Sequence, residues 1–190
     1  MIHLLPETTP KPLQIGNSIR TVCISSRLES KEKLCRGLEV LQSWGLKCIS
    51  PNLSNNQWGY LAGKDEERYK ELHHNKDAEL IGFARGGWGA ARLLEANQPW
   101  QKGWVLGFSD ITAILLSRLS SGFDGCIHGP LISSLADEPE WSKARLKAIL
   151  FGEIVEDIYG DSWKKGRAQG PLVAANLTVS SHLIGTSHFP

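Results

Sequence analysis

The chain has 190 residues, of which 41% are hydrophobic and 22% charged, the composition of a globular protein with room for one full domain and a remainder. Lys and Arg number 21 against 20 Asp and Glu, and a formal charge of +1 supplies no electrostatic reason to expect nucleic acid or an anionic membrane as a partner. The four cysteines, Cys23, Cys35, Cys48 and Cys126, form no C-x-x-C pair, so no metal, redox motif or cofactor is indicated.

Met1 to Pro12 lacks a charged segment followed by an apolar one, so no signal peptide is expected. No apolar run approaches the length of a membrane span. With unpaired cysteines in apolar runs, this makes the cytoplasm the expected location.

Ile19 to Ser25 is an apolar, β-branched run and reads as a strand. Leu34, Leu38 and Leu41 recur at helical spacing, with Gly45 where a C-terminal cap belongs. Leu46 to Ile49 reads as a second strand stopped by Pro51, and Asn52 to Tyr60 as a polar loop. Asp65 to Asn75 reads as a charged surface helix, which leaves His73 and His74 exposed. Leu80 to Ala84 is a third strand, leading into Arg85-Gly86-Gly87-Trp88-Gly89 and a short helix through Leu94. Trp104 to Phe108 is a fourth strand, followed by a strongly apolar helix from Ile111 to Leu119. Cys126 and Ile127 make a fifth strand ended by Gly129-Pro130, and Trp141 to Phe151 closes the domain as a helix.

Strands alternating with helices of this length predict an α/β fold with a doubly wound parallel sheet over residues 1–151. Residues 152–170 are polar, charged and glycine-containing, and read as a linker in which Lys164, Lys165 and Arg167 form a short solvated basic cluster. A new apolar stretch begins at Leu172, so residues 171–190 read as the opening of an incomplete second domain, one that cannot bury a core of its own.

Ser109 is the sharpest chemical signal. It follows Val105-Leu106-Gly107-Phe108 and precedes a helix, the context of a nucleophile elbow, although Ile111 stands where the last glycine of G-x-S-x-G would be. On pattern alone, the commoner reading of Ser-Asp in this place is a helix cap. The turn Arg85 to Gly89 also ends a strand at the carboxyl edge, where open α/β sheets bind ligands, and its glycines suit close backbone approach to an oxyanion. It is neither a dinucleotide fingerprint nor a P-loop, and a plain strand-to-helix turn accounts for it as well. His128, before Gly129-Pro130, could line the same cleft or be structural.

Taken together, the motifs resemble one family. Trp58-Gly59-Tyr60-Leu61-Ala62-Gly63 with Asp65 and Arg68 is similar to a g-Y-L-A-G-x-D-x-x-R segment. Arg85 to Gly89 is similar to R-G-G-Y-G with Trp for Tyr, and Gly107-Phe108-Ser109-Asp110-Ile111-Thr112 to G-[FY]-S-D-[IV]-T. His128-Gly129-Pro130 matches H-G-P, and Asn176-Leu177-Thr178 with Leu183-Ile184-Gly185-Thr186 matches N-L-T and L-x-G-T, with Ala174-Ala175 in place of two glycines. Near the first strand Gly16 is kept, and Asn17 stands where G-D is usual. The family is that of the LD-carboxypeptidases, serine peptidases that include the microcin C immunity proteins.

The resemblance implies a flavodoxin-like N-terminal domain and a hydrolase that releases terminal D-alanine from murein tetrapeptide in cell-wall recycling. It implies Ser109 as the nucleophile and the backbone N–H groups of Gly87 and Asp110 as the oxyanion hole. Gly86, Trp88 and His128 would contact substrate. No cofactor is implied, and a homodimer is left open. The family's glutamate and histidine lie past its N-L-T and G-T segment, so this chain alone is expected to be inert. A peptidyl-nucleotide antibiotic of the microcin C type is an alternative substrate, and a non-catalytic flavodoxin-like binding module is an alternative from another class.

Overall fold

The computed structural model describes residues 9–49, 57–74, 78–170 and 172–190. Five strands, β1 (Ser18–Val22), β2 (Lys47–Ile49), β3 (Leu80–Phe83), β4 (Trp104–Gly107) and β5 (Cys126–His128), form one sheet in the order β2-β1-β3-β4-β5. Every pairing is parallel. The order places a topological switch between β1 and β3, so the loops that leave their carboxyl ends diverge and open a crevice.

Helices α1 (Lys31–Ser43), α2 (Asp65–Leu72), α3 (Thr112–Ser120), α4 (Ile132–Leu135), α5 (Glu140–Phe151) and α6 (Leu177–Leu183) surround the sheet. Alternation along the strands supplies two cores. Ile19, Leu80 and Leu106 join Leu34, Leu38 and Leu41 of α1, Ile132 and Leu135 of α4, and Leu146 and Leu150 of α5. Val22, Phe83 and Val105 join Leu72 of α2 with Ile114, Leu115 and Leu116 of α3. With both faces covered, the central strands β3 and β4 are largely apolar, while β1 buries Arg20 and Thr21 among its apolar residues. Among the described residues, no helix is long and apolar enough to cross a membrane.

The expected elements stand at their places with shifted ends. The charged helix stops at Leu72, and its expected end at Asn75 lies outside the described residues, as do positions 52–56 of the polar loop. The helix expected through Leu94 is a five-residue 3-10 turn, Ala91–Glu95. The single turn α4 was not expected at all.

One expectation is corrected. His73 is half-buried: its Nε2 lies 2.9 Å from Gln98 Oε1, and its ring packs between Tyr69 and Trp100, because α2 turns this position toward the sheet. The residues after Leu172 form no strand. Their one helix, α6, lies against α3, with Leu183 buried in the second core and Val179 and Phe189 packed on it. Asn176 caps α6, and its N–H donates to Thr112 Oγ1 at 3.0 Å. Farther along, Ser120 Oγ donates to Ser187 O at 2.6 Å, and Ser117 Oγ lies 2.9 Å from His188 Nδ1. Between α5 and this docked segment, residues 153–170 carry neither helix nor strand.

Candidate active site

The elbow begins where β4 ends. Phe108 is still extended, and Ser109 then takes φ +62, the one positive φ among the described non-glycine residues. The chain continues through the 3-10 turn Ser109–Ile111 into α3. A left-handed serine costs on the order of 1 kcal/mol, and such strain gathers at functional sites. Gly107 permits the reversal, since a Cβ there would stand 2.4 Å from Ile111 Cγ2. Neither the 3-10 turn nor α3 is closed by a side-chain cap, which removes the capping account of Ser109.

The glycine turn leaves β3 and winds around Ser26, just beyond β1. Ser26 N–H donates to Gly86 O at 3.1 Å, and Trp88 N–H donates to Ser26 Oγ at 3.2 Å. Gly87, at φ +109, fits because it has no side chain: a Cβ would lie 2.1 Å from Ser26 Oγ. A Cβ on Gly86 would lie 3.1 Å from Ser109 Cβ, so the turn runs directly against the elbow.

Asp110 joins the two loops. Its side chain is buried, and Oδ2 accepts from Ser25 Oγ at 2.6 Å and from Ala90 N–H at 2.8 Å. Burial pushes its carboxyl above the ordinary carboxylate range, opposed by those two hydrogen bonds and by the Arg68 guanidinium.

Arg68 is wholly buried. Its Nη1 donates to Ile24 O and, at 2.9 Å, to Gly89 O, while Nη2 pairs with Asp65 Oδ1. Arg92 holds Asp65 Oδ2 through Nε at 2.9 Å and Nη2 at 2.6 Å. This arginine pair, with Arg92 the larger influence, keeps the Asp65 carboxyl below its ordinary value.

Ser109, Asp110, Gly87, Trp88 and Gly89 line one cleft of about 510 Å³, together with Tyr60, Arg92 and four residues from the α6 region, Asn176, Thr178, Val179 and His182. Trp88 projects from it, 64% exposed. His128 is not among the lining residues. It pairs with Gly107 across β4 and β5, its ring stands edge-on to Phe108 at 5.4 Å, and its Nε2 is buried without a partner. Burial holds its pKa below the ordinary value. Among the described residues, no three His, Cys, Asp or Glu side chains converge as metal ligands do.

Sequence reasoning therefore placed Ser109, Gly86, Gly87, Trp88 and Asp110 at one locus. It missed Ser25 and Ser26, whose signal was their position just past the carboxyl end of the first strand. Arg68 lies in a highly charged helix, a setting that gives no sign of its burial beside this locus.

The chain spans about three-fifths of the length of the curated relatives it matches. The LD-carboxypeptidase N-terminal domain matches residues 19–129. A Synechocystis sp. protein named as a carboxypeptidase is 43% identical over 188 residues, covering 95% of this chain and 62% of its own. A Bacillus subtilis protein named as a murein peptide carboxypeptidase is 31% identical over 196 residues, covering 93% of this chain and 60% of its own. Among solved structures, an MccF-like protein from Bacillus anthracis superposes with a TM-score of 0.81 at 21% identity, over 95% of this chain and 66% of that one. On the matched domain and the identity to these relatives, the chain belongs to the LD-carboxypeptidase family.

Proposed function

We propose that this chain carries the nucleophile and oxyanion site of a serine-type carboxypeptidase that hydrolyses an L–D amide, releasing terminal D-alanine from murein tetrapeptide. One observation carries the reading: Ser109 stands at φ +62 between strand and helix, uncapped, with a glycine turn packed against it. Identity to the B. subtilis protein named as a murein peptide carboxypeptidase supports the substrate.

In this reading Ser109 Oγ adds to the carbonyl carbon of the scissile amide, and its proton passes to a general base. The carbonyl oxygen takes the negative charge between the N–H groups of Gly87 and Asp110, each worth about 3 kcal/mol in such sites. Collapse of this intermediate expels D-alanine, which leaves with the proton from the base. Water then frees the acyl group from Ser109. The family resemblance implies a glutamate and a histidine after its N-L-T and G-T segment, and in this reading they supply the base, rather than His182 in the cleft or His188 beside α3.

A second reading replaces the substrate with a peptidyl-nucleotide. The Escherichia coli microcin C7 self-immunity protein MccF, 30% identical over 67% of this chain, favours it.

The test uses the chain and the same chain extended by the coding sequence that follows Pro190, both assayed for D-alanine release from murein tetrapeptide. The extended protein should turn over and the chain should not. Ser109→Ala in the extended protein should remove activity by orders of magnitude with the fold intact. Turnover by this variant within tenfold of the parent would reject Ser109 as nucleophile. Comparable activity of chain and extended protein would place the base within these residues.

A further inference from the structure

Resting on the reading of Ser109 as nucleophile, we infer that Ser25 and Ser26 are positioning residues that set the distance between the two oxyanion donors. Two loops supply those donors. Gly87 belongs to the turn after β3, and Asp110 to the elbow after β4. The dipeptide Ser25-Ser26 follows β1 and reaches both.

Ser26 acts within the glycine turn. It donates its N–H to Gly86 O and receives the Trp88 N–H at Oγ, so the peptide groups on either side of Gly87 are bonded to one residue. That fixes the plane of the Gly87 peptide. Ser25 acts on the other loop. Its hydroxyl donates to Asp110 Oδ2, the same oxygen that receives Ala90 N–H from the far end of the turn. The carboxylate of the residue after the nucleophile is thereby tied to the turn through one atom.

The dipeptide is itself immobilised. Ser25 is fully buried and Ser26 nearly so. Ala62 N–H donates to Ser25 O at 2.9 Å, Ser26 bridges to Leu61, and Arg68 Nη1 holds the preceding Ile24 O. Neighbouring residues on a fixed backbone thus set both halves of the site. A donor displaced by a fraction of an ångström loses most where charge develops in the transition state, and little in binding substrate.

The experiment replaces Ser25 and Ser26 separately with Ala in the extended protein. Each variant should lose about tenfold in kcat, with KM within roughly twofold of the parent. Ser25→Thr keeps the hydroxyl and should restore most of the rate. Native-state amide exchange on the 190-residue chain is the second measurement: Ser26→Ala should speed exchange of the Trp88 amide, and Ser25→Ala that of the Ala90 amide, about fivefold each, with the β-strand amides unchanged.

An unchanged kcat in both alanine variants overturns the inference. So does a parallel change in kcat and KM with a lowered thermal midpoint, which describes a structural pair only. A parent that turns over no peptide removes the hydrolase reading instead. The exchange rates then decide by themselves whether these serines hold the two loops, and unaltered exchange at Trp88 and Ala90 rejects that as well.

Discussion

Replacing Arg68 with Met removes a guanidinium that no solvent reaches while keeping most of the side-chain volume. Three bonds go: to Ile24 O, to Gly89 O and to Asp65. The Asp65 bond matters least, because Asp65 keeps both bonds to Arg92 and is partly exposed. Each of the two carbonyls loses a charged donor in the interior, at about 1–3 kcal/mol apiece. Relief from burying the guanidinium offsets part of this, leaving a net loss of roughly 3 kcal/mol. Urea denaturation followed by tryptophan fluorescence measures it: with an m-value of about 2 kcal/mol/M the midpoint should fall by about 1.5 M. Arg68→Lys, whose single ammonium cannot serve all three acceptors, should fall between parent and Met. A Met variant whose midpoint moves by less than about 0.3 M, at unchanged m, refutes the argument that this arginine clamps the β1 and β3 loops.

Gly87→Val should lower kcat far more than it raises KM, since a side chain there collides with Ser26 and turns the oxyanion donor away; a raised KM with unchanged kcat would make Gly87 a binding residue. Glu71, partly buried and accepting Cys23 N–H, has a carboxyl raised from 4.5 to about 7, chiefly by burial. Because the folded state holds this proton more tightly, stability should be full below pH 4.5 and fall as pH rises toward 7, by at most about 3 kcal/mol. Glu71→Gln should flatten that slope, and equal slopes in parent and variant between pH 5 and pH 8 would contradict it. Ser117→Ala, which removes the partner of His188 Nδ1, should speed amide exchange at Ser187 and His188 and leave the strands unaffected.

The strands were legible because each is a short apolar run stopped by Gly, Pro or a polar cluster, and period and punctuation are local properties. Ser109 was legible for the same reason: strand, serine and helix are contiguous. What supports it was not. Ser25 meets Asp110 and Ser26 meets Trp88 across many intervening residues, and a serine in sequence carries no mark of its distant partner. Arg68 misled because it lies in a highly charged helix, where charge reads as solvent exposure, yet it is among the most buried residues of the chain. Helix α4 is a single turn, too short to show a period, although Ile132 and Leu135 are both fully buried. The docking of α6 could not be read from Leu172 onward, because the surface that receives it belongs to α3.

That docking bears on how the chain is made. Helix α3 is buried at seven of its nine positions, and part of its cover, Val179, Leu183 and Phe189, is translated about sixty residues later. Until the intervening stretch has been added, the helix behind the elbow lacks this part of its apolar cover. A chain ended before Asn176 is expected to aggregate more readily than the 190-residue chain, and equal recovery of the two in the supernatant after expression would contradict this.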